Sequence, residues 1–329
     1  KAARAIELGE ELFPFESFYK IKKAEVLLAE RNTNGAIKLL EKYRSIEPHN
    51  GEIAKLLGDC YAVTLQYKRA IECYNFALKQ DPTSEELLLR LARINFALGN
   101  TNKALSYLNA FPHDYQHDEL SIQEFVRLFI DYNLNDEAIT FLEYIINDDP
   151  YNYSAWYFIG LIYQKQDKNK EAISAYEYCI AIEEENTMGH LGKGNCQMEM
   201  GDYEAAIASF KLSLDNDDSD AEVYCNVAEC YENLKDDHSA KYYYDKSIKI
   251  NPHISDAYYG MGTIYKRRLQ WKDAERCFLK ALDIDPYESL YHIELAEVYL
   301  ILEKRERCYY HYTQAKEIDT NTVEIILDF

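Results

Sequence analysis

The sequence predicts an all-α fold, an α-solenoid built from stacked antiparallel helix hairpins. Three observations predict it. The chain is self-similar at a period of 34 residues, small residues return to two fixed offsets within that period, and each period holds two stretches with apolar residues at three-to-four spacing. Nine windows follow one another without a gap, 17–50, 51–84, 85–118, 119–152, 153–186, 187–220, 221–254, 255–288 and 289–322.

The first stretch of each window reads as an amphipathic helix of about 13 residues. Its eighth position is small in eight windows: Ala24, Gly58, Ala92, Gly160, Gly194, Ala228, Gly262 and Ala296, with Val126 the exception. The second stretch carries alanine at position 20 in eight windows, from Ala36 to Ala274, and Cys308 in the ninth. Small side chains at both offsets let two helices approach closely. Position 24 is large, as in Tyr74, Tyr176, Phe210, Tyr244, Phe278 and Tyr312, and is placed to fill the gap between neighbouring hairpins. Proline at position 32 closes five windows (Pro48, Pro82, Pro150, Pro252, Pro286) and ends the second helix. A single hairpin cannot bury its apolar face, so stacking supplies the core.

The same frame reads the ends. Ala2, Ile6 and Pro14 fall at positions 20, 24 and 32, so residues 1–16 are expected to form the second helix of a truncated repeat. Residues 323–329 are expected to begin a further repeat or a C-terminal cap, and the chain to be a segment of a longer protein. Pro112 arrives four positions early in "NAFPHDYQHD", which predicts a shortened second helix in window 85–118. His113 and His117 in that stretch read as loop residues following a helix break.

Composition limits the chemistry. With 57 acidic and 36 basic residues the net charge is -21, so no nucleic-acid partner is expected, because phosphate binding needs a basic footprint. No apolar run approaches the roughly 18 residues of a membrane span, so no membrane partner is expected either. Eight cysteines are scattered without a CxxC pair and read as buried small hydrophobes in a reducing compartment, which points to the cytoplasm. "GHLGKG" at Gly189 superficially suggests a phosphate loop, but the frame makes it a helix, with Gly194 as the small eighth residue. "DNDDSDAE" at Asp215 suggests a calcium loop but lacks its glycine and its twelfth-position glutamate; Asp220 is better placed as a helix N-cap. No nucleophile stands beside a base. The reading is a non-enzyme, with no metal and no cofactor.

The periodic residues resemble the tetratricopeptide repeat (TPR), whose pattern runs Trp–Leu–Gly–Tyr, then Ala–Phe–Ala–Pro. Trp156, Ile159, Gly160, Tyr163, Ala172 and Tyr176 carry the likeness most closely, and it extends over residues 17–322, loosest in windows 119–152 and 289–322. The resemblance implies a right-handed superhelix whose concave groove is lined by positions 2, 5, 6, 9, 12 and 13 of each first helix. It also implies a protein- or peptide-binding scaffold. Two alternatives are a substrate-recruiting segment of a larger enzyme and a self-associating assembly module.

Projecting those positions gives candidate groove residues. Arg90, Arg93 and Arg127, with Phe96 and Gln123, would form a basic island suited to carboxylates. Tyr157, Leu161, Leu191, Asn195 and Met198 would form a more apolar floor with an amide to hold a peptide backbone. Glu222, Glu229 and Glu232 follow, then Tyr259, Lys266 and Arg267. Gly192 and Gly260 share position 6 and are expected to leave room for a ligand's backbone. The chaperone-tail clamp found in some family members is not matched. Asn195 and Asn226 stand at fitting offsets, but Leu191 replaces a lysine and Asp256 and Gly260 occupy the last basic pair, which disfavours chaperone C-terminal tails.

Overall fold

The computed structural model describes residues 17–110 and 119–319, together with Ile6, Gly9, Leu12 and Phe13. The readings for the remainder of 1–16, for 111–118 and for 323–329 lie outside the described residues. Among the described residues there are eighteen helices and no strand, so the all-α reading holds.

The chain divides into two compact units, residues 1–141 and 142–329. In the first, α1 (Ser17–Ala29), α3 (Gly51–Val63), α5 (Glu85–Ala97) and α7 (Glu119–Asp131) alternate with α2 (Thr33–Ile46), α4 (Tyr67–Leu78) and α6 (Thr101–Leu108). The division falls within α8 (Asn135–Asp148). In the second, first helices α9 (Tyr153–Lys165), α11 (Thr187–Glu199), α13 (Ala221–Asn233), α15 (Ser255–Arg267) and α17 (Ser289–Ile301) each pair with a following helix. Those partners are α10 (Asn169–Ile182), α12 (Tyr203–Asn216), α14 (Asp237–Ile250), α16 (Trp271–Ile284) and α18 (Arg305–Ile318).

Local chemistry fixes both ends of the first helices. Position 34 of the preceding window supplies the N-cap: Asn50 accepts from the amides of Glu52 and Ile53, Asn186 from Gly189, and Asp220 from Glu222 and Val223. The acidic string at Asp215 thus ends in the expected cap. At the other end, position 15 is left-handed in all nine described hairpins. It is glycine only at Gly99 and Gly201, and otherwise Arg31, Leu65, Asn133, Asp167, Lys235, Leu269 or Glu303. The next amide reaches back five residues, as in Gln66 to the Tyr61 carbonyl and Gln270 to that of Tyr265, both at distances of 2.8–2.9 Å. This is the Schellman closure, and it reverses the chain into the second helix.

Packing follows the periodic residues. All eight position-20 alanines are fully buried, and the position-24 side chains Leu40, Tyr74, Leu108, Leu142, Tyr176, Phe210, Tyr244 and Phe278 are buried against them. The rings lie on the small eighth residue of their own hairpin. A Cβ built on Gly58, Gly160, Gly194 or Gly262 would stand 2.5–2.6 Å from the ring of Tyr74, Tyr176, Phe210 or Phe278 respectively. Burying each such ring contributes about 2–3 kcal/mol. The second helix of window 85–118 is the short one. It has eight residues where the others have 12 to 14, and ends at Leu108, ahead of Pro112.

The left-handed turns carry a testable cost, since a leucine there is strained. Leu65 (φ 59°) and Leu269 (φ 60°) are both exposed, so they bring little packing in return. Replacing each by glycine is expected to stabilise by about 0.5–1 kcal/mol, read as a higher midpoint in urea denaturation. An unchanged or lower midpoint would show that the turn tolerates leucine without strain.

Candidate functional site

The family positions project onto the first helices, and each unit contributes a stretch of its own. In the first unit, Arg90 and Arg93 of α5 line a cleft of about 560 Å³ with Glu85, Glu86, Leu89 and Glu124. Arg90 is already engaged. Its guanidinium pairs with Asp59 of α3 and with Glu86 at 2.6 Å, and it lies 6.0 Å from the Tyr74 ring centroid. Tyr74 donates its hydroxyl to the same Asp59 at 2.6 Å. Burial pushes the Asp59 carboxyl up, while Tyr74 and Arg90 pull it back down. Lys55 and Arg90 hold Glu86 low. Arg90 therefore belongs to an internal network, and the expectation that it offers a free cation is corrected. Phe96 is corrected as well. It is 5% exposed and packs against Tyr132 and Phe129, with centroids at 5.3 and 6.1 Å, because position 12 of α5 turns toward α7. Arg93, Gln123 and Arg127 are exposed, and neither arginine has an ion pair with a described residue.

In the second unit, Tyr157, Leu161, Leu191 and Asn195 are half-buried along α9 and α11. Tyr157 leans on Phe158 and Tyr176, and Leu191 packs on the cluster around Val223 and Val227. Asn226 of α13 donates to Asn195 of α11 at 3.4 Å, which aligns two amides one repeat apart. Tyr259 of α15 lies between Phe278 and Tyr291.

The glycines are corrected most sharply. Gly192 and Gly260 are buried, and a Cβ on either would strike a ring of the preceding hairpin, at 2.4 Å from Tyr176 Cζ and 2.2 Å from Tyr244 Cζ. They make room for the protein's own tyrosines, and a ligand's backbone cannot approach them. Tyr176 is thus clasped between Gly160 and Gly192.

The basic residues of α15 are also taken. Lys266 donates to Glu294 at 2.5 Å and to Glu297 at 2.8 Å, both on α17. Arg267 donates to Glu232 at 2.6 Å and to Asp237 at 2.7 Å. Glu232 is the hub, since it also accepts from Tyr244 at 2.9 Å and from Thr263 at 2.6 Å. Sequence reasoning placed Glu232 on the groove but missed this role. The only signal was the recurrence of a polar residue at position 12 beside a position-24 tyrosine, as in Gln164 with Tyr176 at 3.0 Å.

With Glu232, Glu294 and Glu297 neutralised, Glu222 and Glu229 of α13 and Asp256 of α15 remain. All three are exposed and without a cation partner among the described residues, although Asp256 accepts from Tyr291 at 2.9 Å. Glu229 is open to water yet hemmed in by protein. That confinement, followed by the charges of Asp256 and Glu232, pushes its carboxyl up. Cys225 lies buried beside them, its thiol raised by burial and by these acids, which makes it inert as a nucleophile. Among the described residues, no group of three or more His, Cys, Asp or Glu side chains could hold a metal ion. No helix among them is long and apolar enough to cross a membrane.

Two sequence models described as tetratricopeptide repeat match the chain, one over residues 27–75 and 65–124, the other over 153–186, 190–220 and 221–254. Together with the hairpin packing, this decides the family. The chain belongs to the tetratricopeptide repeat family. Among solved structures, pilF of Pseudomonas aeruginosa superposes with a TM-score of 0.55 at 16% identity, over 61% of this chain and 92% of that one. A crystal structure of MamA gives 0.46 at 22% identity, over 50% and 97%. YrrB, described as a TPR protein with an unusual peptide-binding site, gives 0.45 at 14%, over 54% and 92%. At these identities the likeness to pilF is one of fold. As a TPR protein, the chain has the architecture of a protein-interaction scaffold.

The buried glycines generate a prediction opposite in sign to helix propensity. Alanine at Gly260 would gain about 1 kcal/mol of propensity, but it must displace the Tyr244 ring and its bond to Glu232. Overpacking of this kind costs about 1–3 kcal/mol, so Gly260→Ala and Gly192→Ala are expected to be neutral to destabilising by up to about 2 kcal/mol. A thermal melt with a raised Tm in both variants would rule out the ring contact as the reason for glycine.

Proposed function

We propose that the first-helix face of the second unit binds an extended segment of a protein partner, with a lysine or arginine of that segment seated among Glu222, Glu229 and Asp256. One observation carries the reading. These three carboxylates lack a cation among the described residues, whereas Glu232, Glu294 and Glu297 beside them are each answered by Arg267 or Lys266. A cationic side chain would offset the burial and, after it, the like-charge crowding that raise Glu229. The aligned amides of Asn195 and Asn226 suit a peptide backbone, and Tyr157, Leu161 and Leu191 offer apolar contact along the same row of helices. The chain acts as a scaffold without chemistry of its own. Arg93, Gln123 and Arg127 remain a separate candidate contact within the first unit, suited to a carboxylate.

The test is binding to an array of extended peptides of varied charge. Selected peptides are expected to be rich in lysine or arginine and to bind more weakly as salt rises. Glu229→Gln with Asp256→Asn is expected to weaken them about tenfold or more, since hydrogen bonds to charged groups contribute about 1.5–3 kcal/mol. Selection of acidic peptides, or losses confined to Arg93→Ala and Arg127→Ala, would overturn the assignment.

A further inference from the structure

His292 of α17 and His311 of α18 are both buried, at 5% and 7% exposure, and their Nδ1 atoms face each other at 2.9 Å. The carbonyl of Pro286 accepts a hydrogen bond from the His292 ring. With Nδ1 of His292 committed to His311, that donor is Nε2–H, so Nδ1 of His292 is the acceptor and His311 supplies Nδ1–H. Tyr299 stacks on His311 at 5.5 Å and Tyr310 meets its edge at 5.1 Å, which closes the ring in on both sides.

This arrangement admits one proton between the two Nδ1 atoms and no more. A second proton between them would set N–H against N–H at hydrogen-bond distance, and one taken instead at Nε2 of His311 leaves a buried imidazolium stacked on Tyr299. Nothing nearby answers that charge, since no described carboxylate is hydrogen-bonded to either ring. On α16, Glu275 is held by Lys304 and Arg307. From α15, Asp256 accepts from Tyr291, and Lys266 is engaged by Glu294 and Glu297. Arg307, on α18 itself, adds a repulsive charge to His311.

We propose that the His292–His311 pair makes the α17–α18 hairpin a pH-sensitive latch, closed near neutral pH and opened by acidification. Burial holds both imidazoles below the ordinary histidine range, and His292 and Arg307 depress His311 further. The neutral forms are therefore favoured in the fold, while the opened hairpin takes up protons at the ordinary value of about 6.5. Stability is thus fully present above that pH and is lost as pH falls below it.

The measurement is hydrogen exchange of the whole chain at about pH 7.5 and about pH 5, corrected for intrinsic rates, with residues 255–284 as internal reference. Protection over 289–318 is expected to fall about tenfold or more relative to that reference, as protonation of a group shifted by one unit requires. In His311→Phe the fall is expected to shrink, because only the buried His292 is left to take up a proton, while protection at neutral pH is kept. An equal fall in His311→Phe and wild type, or no fall in wild type, overturns the proposal. Should His311→Phe fail to fold, proton NMR titration of the wild-type imidazoles decides. Two rings that titrate below the ordinary value support the latch, and either ring titrating at or above it overturns the latch.

Discussion

An aromatic ring pressed onto a backbone without a side chain is the contact on which the rest of this protein depends. Tyr74, Tyr176, Phe210 and Phe278 lie on a glycine of their own hairpin, and Tyr176 and Tyr244 lie on a glycine of the next. Each such ring sets the distance between two helices and fills the space between successive hairpins. Because a Cβ at these glycines would fall within 2.2–2.6 Å of ring atoms, the spacing is set by hard contact.

The tyrosine version of the wedge does a second thing. Its ring sits in the core while its hydroxyl emerges on the first-helix face, where it donates to Asp59, Gln164 or Glu232. The acceptors are then oriented to receive side chains from the following repeat: Arg90 on Asp59, Thr263 and Arg267 on Glu232. Core packing and surface electrostatics are thereby one construction. Moving a ring moves the carboxylate that holds the next repeat's cation.

In a chain of net charge -21, cations are the scarce partner. Several cations of the first-helix face, Arg90, Lys266 and Arg267 among them, are drawn into bonds between repeats. Other cations cover the phenol at position 11, with Arg69 on Tyr61, Lys241 on Tyr265 and Lys304 on Tyr299. What remains exposed beside Asn195 and Asn226 is acidic. The character of that stretch is set by which charges the scaffold leaves unanswered.

The described helices, their order and the burial of the small residues and rings at positions 8, 20 and 24 were legible in the sequence because they rest on local, periodic information. A period of 34 repeats every small residue and every ring, and apolar spacing alone reports which helix face is buried. The left-handed turn at position 15 escaped it, since backbone closure and not side-chain type imposes that conformation, and seven of nine residues there are not glycine. The candidate site was only half legible. Position within the repeat put Glu222, Glu229 and Asn195 on the first-helix face, where the two glutamates are exposed and Asn195 is half-buried, but it treated Arg90, Lys266 and Arg267 as free and Gly192 and Gly260 as open. Each of those is decided by a partner 16 to 35 residues away: Tyr176 for Gly192, Tyr244 for Gly260, Asp59 for Arg90, Glu294 and Glu232 for Lys266 and Arg267. A sequence pattern says which side of a helix a residue occupies. Only the tertiary structure decides what already stands there, because that depends on atoms brought together by stacking.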